Sequence, residues 1–411
     1  MGRHRQIIAS SIVLLAFAAA AEEVATGTVR PFVLPDPWGE HGVGVLSALV
    51  VDASRTIVTE DGRTIARPVP VQLWYPAVAA TGGARTKPYM HPELAEAWRA
   101  TLPAPAGWQD SVVTHAVEGA EPARGAARWK VILFSHGLSW PIENYQILFE
   151  DLASRGWVVA GLSHPGEEAL TRLPDGTRIG FSGARWDDDD AKAAVMMEKV
   201  DQMVLDASAV LDRLEQWTRE GRKSPLGRLA GRLDLASGVG YAGHSLGGAT
   251  AAWTLRRDRR VKAAASWEGQ IYRAEDRPMK VTGPLLYLVG GSNRAELAGR
   301  HFRGDGADRP VYEVVLRGAW HASPSDLLYV YQAYGPRDWR ARHRREISPA
   351  RANQITADYL DAFFSRYLNG AHPDLLRPDG VGEKDAERNF PEVEMRLNLG
   401  GEGFWTASET P

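Results

Sequence analysis

The 411-residue chain contains no cysteine. Disulfides, a lipidated cysteine and thiolate chemistry are all excluded by that absence. An excess of one charge is also missing: 48 Lys and Arg stand against 51 Asp and Glu, for a net charge of -3. No long basic stretch is interleaved with aromatics, so a nucleic-acid partner has no electrostatic footprint. No internal repeat recurs at solenoid or propeller periods. Its long apolar run, Ile7 to Ala20, is shorter than the ~20 residues a membrane-spanning helix needs.

That run has a different look. Arg3 and Arg5 precede it, the small residues Ala18 to Ala21 end it, and Glu22 and Glu23 follow at once. Residues 1–21 therefore read as a signal peptide cleaved near Ala21, which implies a periplasmic or secreted protein with no stable membrane span after cleavage. The whole chain is 44% apolar and 24% charged, the composition of a globular protein with a large core.

Strand and helix patterns alternate along the chain. Gly44 to Val51 and Val69 to Tyr75 are β-branched and apolar with Asp61 and Gly62 between them, which predicts an N-terminal antiparallel pair. Short apolar runs at Val131 to Phe134, Trp157 to Leu162, Gly238 to Ala242, Ala263 to Trp267, Leu285 to Val289 and Tyr312 to Leu316 predict strands buried on both faces. Helical spacing marks Tyr145 to Ser154, Ala191 to Thr218 and Ile355 to Tyr367. The sum is a single α/β domain over residues 22–370, with a mostly parallel sheet and helices on both faces. Residues 165–186 carry no strong period and read as a lid or loop insertion, and residues 371–411 as a surface tail. The acidic run Asp187 to Asp190 reads as a helix start, where negative charge meets the helix dipole, and not as a metal site.

Gly243-His244-Ser245-Leu246-Gly247 matches G-x-S-x-G, and its context is what gives the short pattern weight. A strand precedes it and the small residues Gly248 to Ala252 follow, as in an elbow that turns a strand sharply into a helix and exposes the serine hydroxyl. Serine is a weak nucleophile at neutral pH and needs a base, and the base needs a third group to hold its tautomer. Chain order in such folds is serine, acid, histidine. Of the histidines after Ser245, His301 precedes a strand, His343 sits among arginines and His372 is in the tail. His321, four residues past a strand end, is the candidate base. The loop after Leu285 to Val289 reads Gly290-Gly291-Ser292-Asn293 and lacks a carboxylate, so the acid falls one strand earlier, on Glu268, with Glu275 and Asp276 as alternatives. Backbone N–H groups of Leu246 and of Leu138, in Ser135-His136-Gly137-Leu138, are the candidate oxyanion donors. His136 precedes the serine and reads as a brace for that loop.

These stretches resemble the plasma platelet-activating-factor acetylhydrolase family, isoform II type, and bacterial relatives labelled predicted dienelactone hydrolases. The likeness is carried by Phe134 to Leu138, Asp151 to Gly156, His164 to Gly166, Gly231 to Asp234, Gly243 to Thr250 and Gly318 to His321, within a span from Gly42 to Gly370. It implies the α/β-hydrolase fold and a serine esterase that uses no metal or organic cofactor. It also implies an acid on the strand after the nucleophile helix, where the family usually has aspartate and this chain has Glu268. The substrate implied is a small-molecule or lipid ester with a short acyl chain. Trp267 and Trp320, beside the acid and the base, and His164 are candidates for the substrate pocket, with core packing the equal alternative for the tryptophans. An amidase or peptidase with the same triad is the nearest rival, and a noncatalytic envelope or binding protein that kept the fold is the rival of another class.

Overall fold

A computed structural model describes residues 31–79, 85–99, 102, 104–125, 128–183, 186–291, 300–334, 346–376 and 390–400. The expected signal peptide, Ser292, Asn293 and His343 lie outside the described residues. We number the nine longer strands of the central sheet β1 (Gly42–Val58), β2 (Thr64–Ala77), β3 (Trp129–Ser135), β4 (Val158–Leu162), β5 (Val239–His244), β6 (Val261–Trp267), β7 (Leu285–Gly290), β8 (Val311–Leu316) and β9 (Val393–Asn398). The long helices are α1 (Gln146–Ser154), α2 (Asp189–Glu220), α3 (Leu246–Arg257) and α4 (Pro349–Asn369).

From edge to edge the order is β9, β8, β7, β6, β5, β3, β4, β2, β1, with the short strands Val117–Glu118 and Leu233–Asp234 attached at β1 and β3. The strands from β8 through β4 pair in parallel, whereas β2 joins β4, and β9 joins β8, antiparallel. This is the α/β-hydrolase fold. Strands β4, β5, β7 and β8 are buried at every position, which explains their largely apolar sequences, with Glu313 in β8 and His244 in β5 the exceptions. The outer pair β1 and β2 alternates buried with exposed positions along β1 and turns at Asp61 and Gly62, where glycine takes φ 84.

Two core clusters lie on opposite faces of the sheet. One packs the stripe Val200, Met203, Val204, Ala207, Val210, Leu211 and Leu214 of α2 together with α3 against the sheet. The other packs α1 and α4, including Phe149, Phe363 and Phe364. Each fully buried side chain of this size stabilises the fold by roughly 1.5–3 kcal/mol. Asp188 caps α2 by accepting the Ala191 N–H at 2.7 Å, with Asp189 and Asp190 in its first turn, so the acidic run begins a helix. A third, smaller cluster, with Tyr89, Trp98, Trp108 and Tyr331 at its heart and Trp140 and Trp320 packed on it, comes from residues outside the regular layers.

The part expected as a surface tail differs at one place. Val393–Asn398 adds to the sheet as β9, with Leu316 opposite Val393 and Val311 opposite Asn398. Arg396 pairs with the buried Glu313 across the register. The alternation Val393, Met395, Leu397 is the period-2 signal for this strand, brief enough to be lost in polar surroundings. Residues 165–186 contain a small hairpin, Leu170–Arg172 against Arg178–Gly180. Its root is tied down: the Lys199 ammonium pairs with Glu167 at 2.7 Å and the Ser182 N–H donates to Gly166 O at 2.8 Å.

Candidate active site

Between the end of β5 and the start of α3, Ser245 sits alone at φ 54, ψ −117. The turn is possible because of the glycines around it. A Cβ on Gly243 would lie 2.2 Å from Gly247 O, and one on Gly247 would lie 2.1 Å from Ser135 O on β3. Both contacts are impossible, so only glycine permits this elbow. The Ser245 N–H donates to Trp267 O at 2.7 Å, which pins the turn to β6. Ser245 is half-exposed.

Glu268 follows β6 directly. Its backbone is also left-handed, at φ 50, and its N–H donates to Leu288 O at 2.9 Å. Its carboxylate is almost fully enclosed: Oε1 accepts the Gly290 N–H at 2.7 Å and Oε2 lies 2.5 Å from His321 Nδ1. His321 keeps 26% of its side chain exposed against 1% for Glu268. Glu268 thus sits behind His321 and orients its ring, with Nδ1 toward the carboxylate and Nε2 away from it. Glu275 and Asp276, in the turn Ala274–Asp276, make no bond to His321 among the described residues.

The loop after β3 passes against the serine. A Cβ on Gly137 would meet Ser245 Cβ at 3.4 Å and His244 Nδ1 at 3.2 Å. In this loop the Gly137 N–H donates to Tyr145 Oη at 3.2 Å, the Ser139 N–H to Glu167 O at 2.7 Å and the Trp140 N–H to Gly137 O at 3.0 Å. Leu138 N–H has no protein acceptor among the described residues, and Leu246 N–H is in the first turn of α3, where helix donors lack intrahelical partners. His136 braces the loop through Nδ1 on Gly137 O at 2.8 Å; burial, then His164, pulls its pKa down to about 3, so it stays neutral. Ser139 takes φ 63. Ser139, Ser245 and Glu268 are the three non-glycine residues with positive φ among the described residues, and each lies at a corner of this site. Such backbone costs of order 1–3 kcal/mol per residue and persists where surrounding structure imposes it.

An aromatic row leads to the base. Ring centroids are 6.1 Å apart for Trp98 and Trp140, 5.0 Å for Trp140 and His244, and 4.5 Å for His244 and His321. Burial, reinforced by His321, holds the His244 pKa well below its usual range, so its neutral ring does not repel charge on His321. Tyr145 Oη reaches His244 Nδ1 at 2.8 Å. None of Trp140, Tyr145 and His244 was legible as a site residue. Two of them carried a usable signal: His244 precedes Ser245 inside the motif, and Trp140 stands two positions after Leu138 in the same loop.

The expected pocket residues divide. Trp320 is half-exposed beside His321. Trp267 is 3% exposed and belongs to the core under the sheet. His164 is fully buried with both ring nitrogens bonded to protein, Nε2 to Ser135 Oγ and Nδ1 to Asp206. Trp267 takes the core alternative, and His164 is corrected from the pocket to the interior, because both its ring nitrogens are engaged by protein and it is sealed from solvent.

The family model described as "Platelet-activating factor acetylhydrolase, isoform II" matches residues 108–385. The chain belongs to this family. A solved structure described as a ferulic acid esterase from Streptomyces cinnamoneus is similar to this acetylhydrolase-family chain at 27% identity, over 90% of this chain and 99% of that one, with a TM-score of 0.67. Family and neighbour together make this member of the platelet-activating-factor acetylhydrolase family a carboxylic ester hydrolase, whose substrates are small esters.

Proposed function

We propose that this esterase works through a Ser245–His321–Glu268 triad on esters with a compact acyl group. The observation that carries the reading is the 2.5 Å contact between Glu268 Oε2 and His321 Nδ1, made beside a serine on a left-handed elbow. In the reaction, Ser245 Oγ attacks the carbonyl carbon while His321 Nε2 takes its proton. The carbonyl oxygen becomes an oxyanion held by the N–H groups of Leu138 and Leu246. His321 then returns the proton to the departing alcohol, and water, deprotonated by the same nitrogen, releases the acid from the acyl-enzyme. Glu268 stabilises the imidazolium that forms in both halves.

The edge-to-face pair of Trp98 and Trp140 beside His244 supports a flat or short acyl group over a long chain, and the similar ferulic acid esterase supports an aromatic acid as one such group. Steady-state rates on acetate, hexanoate, palmitate and hydroxycinnamate esters of one phenol test this. The expected order places acetate or hydroxycinnamate far above palmitate; a palmitate maximum rejects the compact acyl site. A fluorescent fluorophosphonate tests the nucleophile, with labelling expected in the parent and lost in Ser245→Ala. We also propose export with residues 1–21 removed near Ala21, on the strength of Arg3, Arg5 and the apolar run behind them. The intact mass of protein recovered from the periplasm or medium decides it: retention of residues 1–21 rejects cleavage.

A further inference from the structure

A second chain of serine, histidine and carboxylate runs beneath the site. Ser135 Oγ lies 2.7 Å from His164 Nε2, and His164 Nδ1 lies 3.0 Å from Asp206 Oδ2. Ser135, His164 and Asp206 are all 0% exposed, so no substrate reaches this serine. Asp206, on α2, is gripped by Arg67 of β2 through two bonds of 2.6 and 2.7 Å and is paired with Arg55 of β1 at 2.7 Å. Burial alone would raise the Asp206 pKa, yet the Arg67 guanidinium and His164 hold it well below the usual carboxylate range.

The chain continues past its serine, where Tyr241 Oη lies 2.7 Å from Ser135 Oγ. The His164 backbone N–H donates in turn to His136 Nε2 at 3.2 Å, which leaves Nδ1–H of His136 to hold Gly137 O. His164 therefore holds the last residue of β3 by its ring at Ser135 and the first residue of the following loop by its backbone at His136. Leu138 lies two residues beyond His136.

We infer that the buried Ser135–His164–Asp206 chain positions the oxyanion loop, with Asp206 and His164 as positioning residues that set where the Leu138 N–H points. This rests on the assignment of Leu138 as an oxyanion donor. A donor that is displaced stabilises the transition state less while leaving ground-state binding nearly unchanged, and a displacement on the order of 1 Å can cost about a hundredfold.

The test uses the full chain, with active sites counted by fluorophosphonate titration so that misfolded protein drops out of every rate. Asp206→Asn, Ser135→Ala and Ser135→Thr are compared with the parent on p-nitrophenyl acetate, and each is titrated with an alkyl trifluoromethyl ketone, which Ser245 converts to a hemiketal oxyanion. Asp206→Asn and Ser135→Ala are expected to lower kcat per titrated site by roughly tenfold to a hundredfold with KM within about threefold. The inhibition constant for the ketone should rise by the factor lost in kcat/KM, and Ser135→Thr, which keeps the hydroxyl, should recover most of the rate. An unchanged kcat per titrated site, a rise in KM alone, or ketone affinity that does not follow kcat/KM overturns the inference. Failure of the parent to label at all overturns the triad assignment itself, a separate result.

Discussion

Two chains of serine, histidine and carboxylate cross this molecule within a few residues of each other, and they differ in almost everything except their side chains. Ser245–His321–Glu268 opens to solvent at its serine and histidine, and its carboxylate is met by a neutral donor, the Gly290 N–H. Ser135–His164–Asp206 is sealed, and its carboxylate is met by two guanidinium groups. A carboxylate already neutralised by arginine has little field left to stabilise an imidazolium, whereas one facing an amide retains it. The serines differ as well. Ser245 stands on strained backbone between a strand and a helix, while Ser135 lies inside the regular strand β3. Access, counter-charge and backbone geometry, and not the three residue types, separate the proposed triad from the proposed brace.

Matched substitutions in the two chains test that contrast. Glu268→Gln should lower kcat by about 10⁴-fold, since the amide no longer enforces the productive His321 tautomer, while Asp206→Asn stays within the hundredfold set out above. Similar losses from both, in kcat per titrated site, would erase the distinction. For stability the order should reverse. Arg67→Ala leaves a buried Asp206 carrying charge with half its partners gone, and chemical denaturation should report a loss of about 3–5 kcal/mol. Glu268→Gln should change stability far less in the same experiment. Beside the open chain, Trp140→Ala should raise KM for compact esters by roughly tenfold through lost ring contact, and leave binding of the buried chain untouched.

The smallest effect concerns pH. Glu168 pairs backbone-to-backbone with Ser139 of the oxyanion loop, and burial, then Glu143, pushes its carboxyl up to about 8 from an ordinary value of 4.5. A folded pKa above the unfolded one gives stability that is complete below 4.5 and is lost as pH rises through 8. Denaturation midpoints measured across that window should fall with pH in the parent, and the decline should flatten in Glu168→Gln. A parent with no slope there would place the proton elsewhere.

Much of the open chain was legible in advance because it is written locally. Gly243 to Gly247 names an elbow, and a histidine four residues past a strand names a base, since strand ends and tight turns leave marks a few residues wide. Glu268 was legible through position, as a carboxylate at a strand end where the more usual loop had none. The buried chain left a fainter trace: Ser135 and His164 fall in stretches that carry the family likeness, but nothing local marks them as partners of each other or of Asp206. Arg67, Ser135, His164 and Asp206 are spread over 140 residues of chain, and each alone looks like an ordinary polar residue. The strand β9 stayed hidden for a related reason: six residues of alternation say little until an open edge is known to await them.

The fold class and the elbow around Ser245 could be read from the chain alone, because periodicity, glycine requirement and motif spacing act over short range. Tertiary structure alone decided which histidine meets water and which is sealed. Burial and counter-charge are properties of what packs around a residue, and β1, β2 and α2 converge on Asp206 only once the sheet has formed.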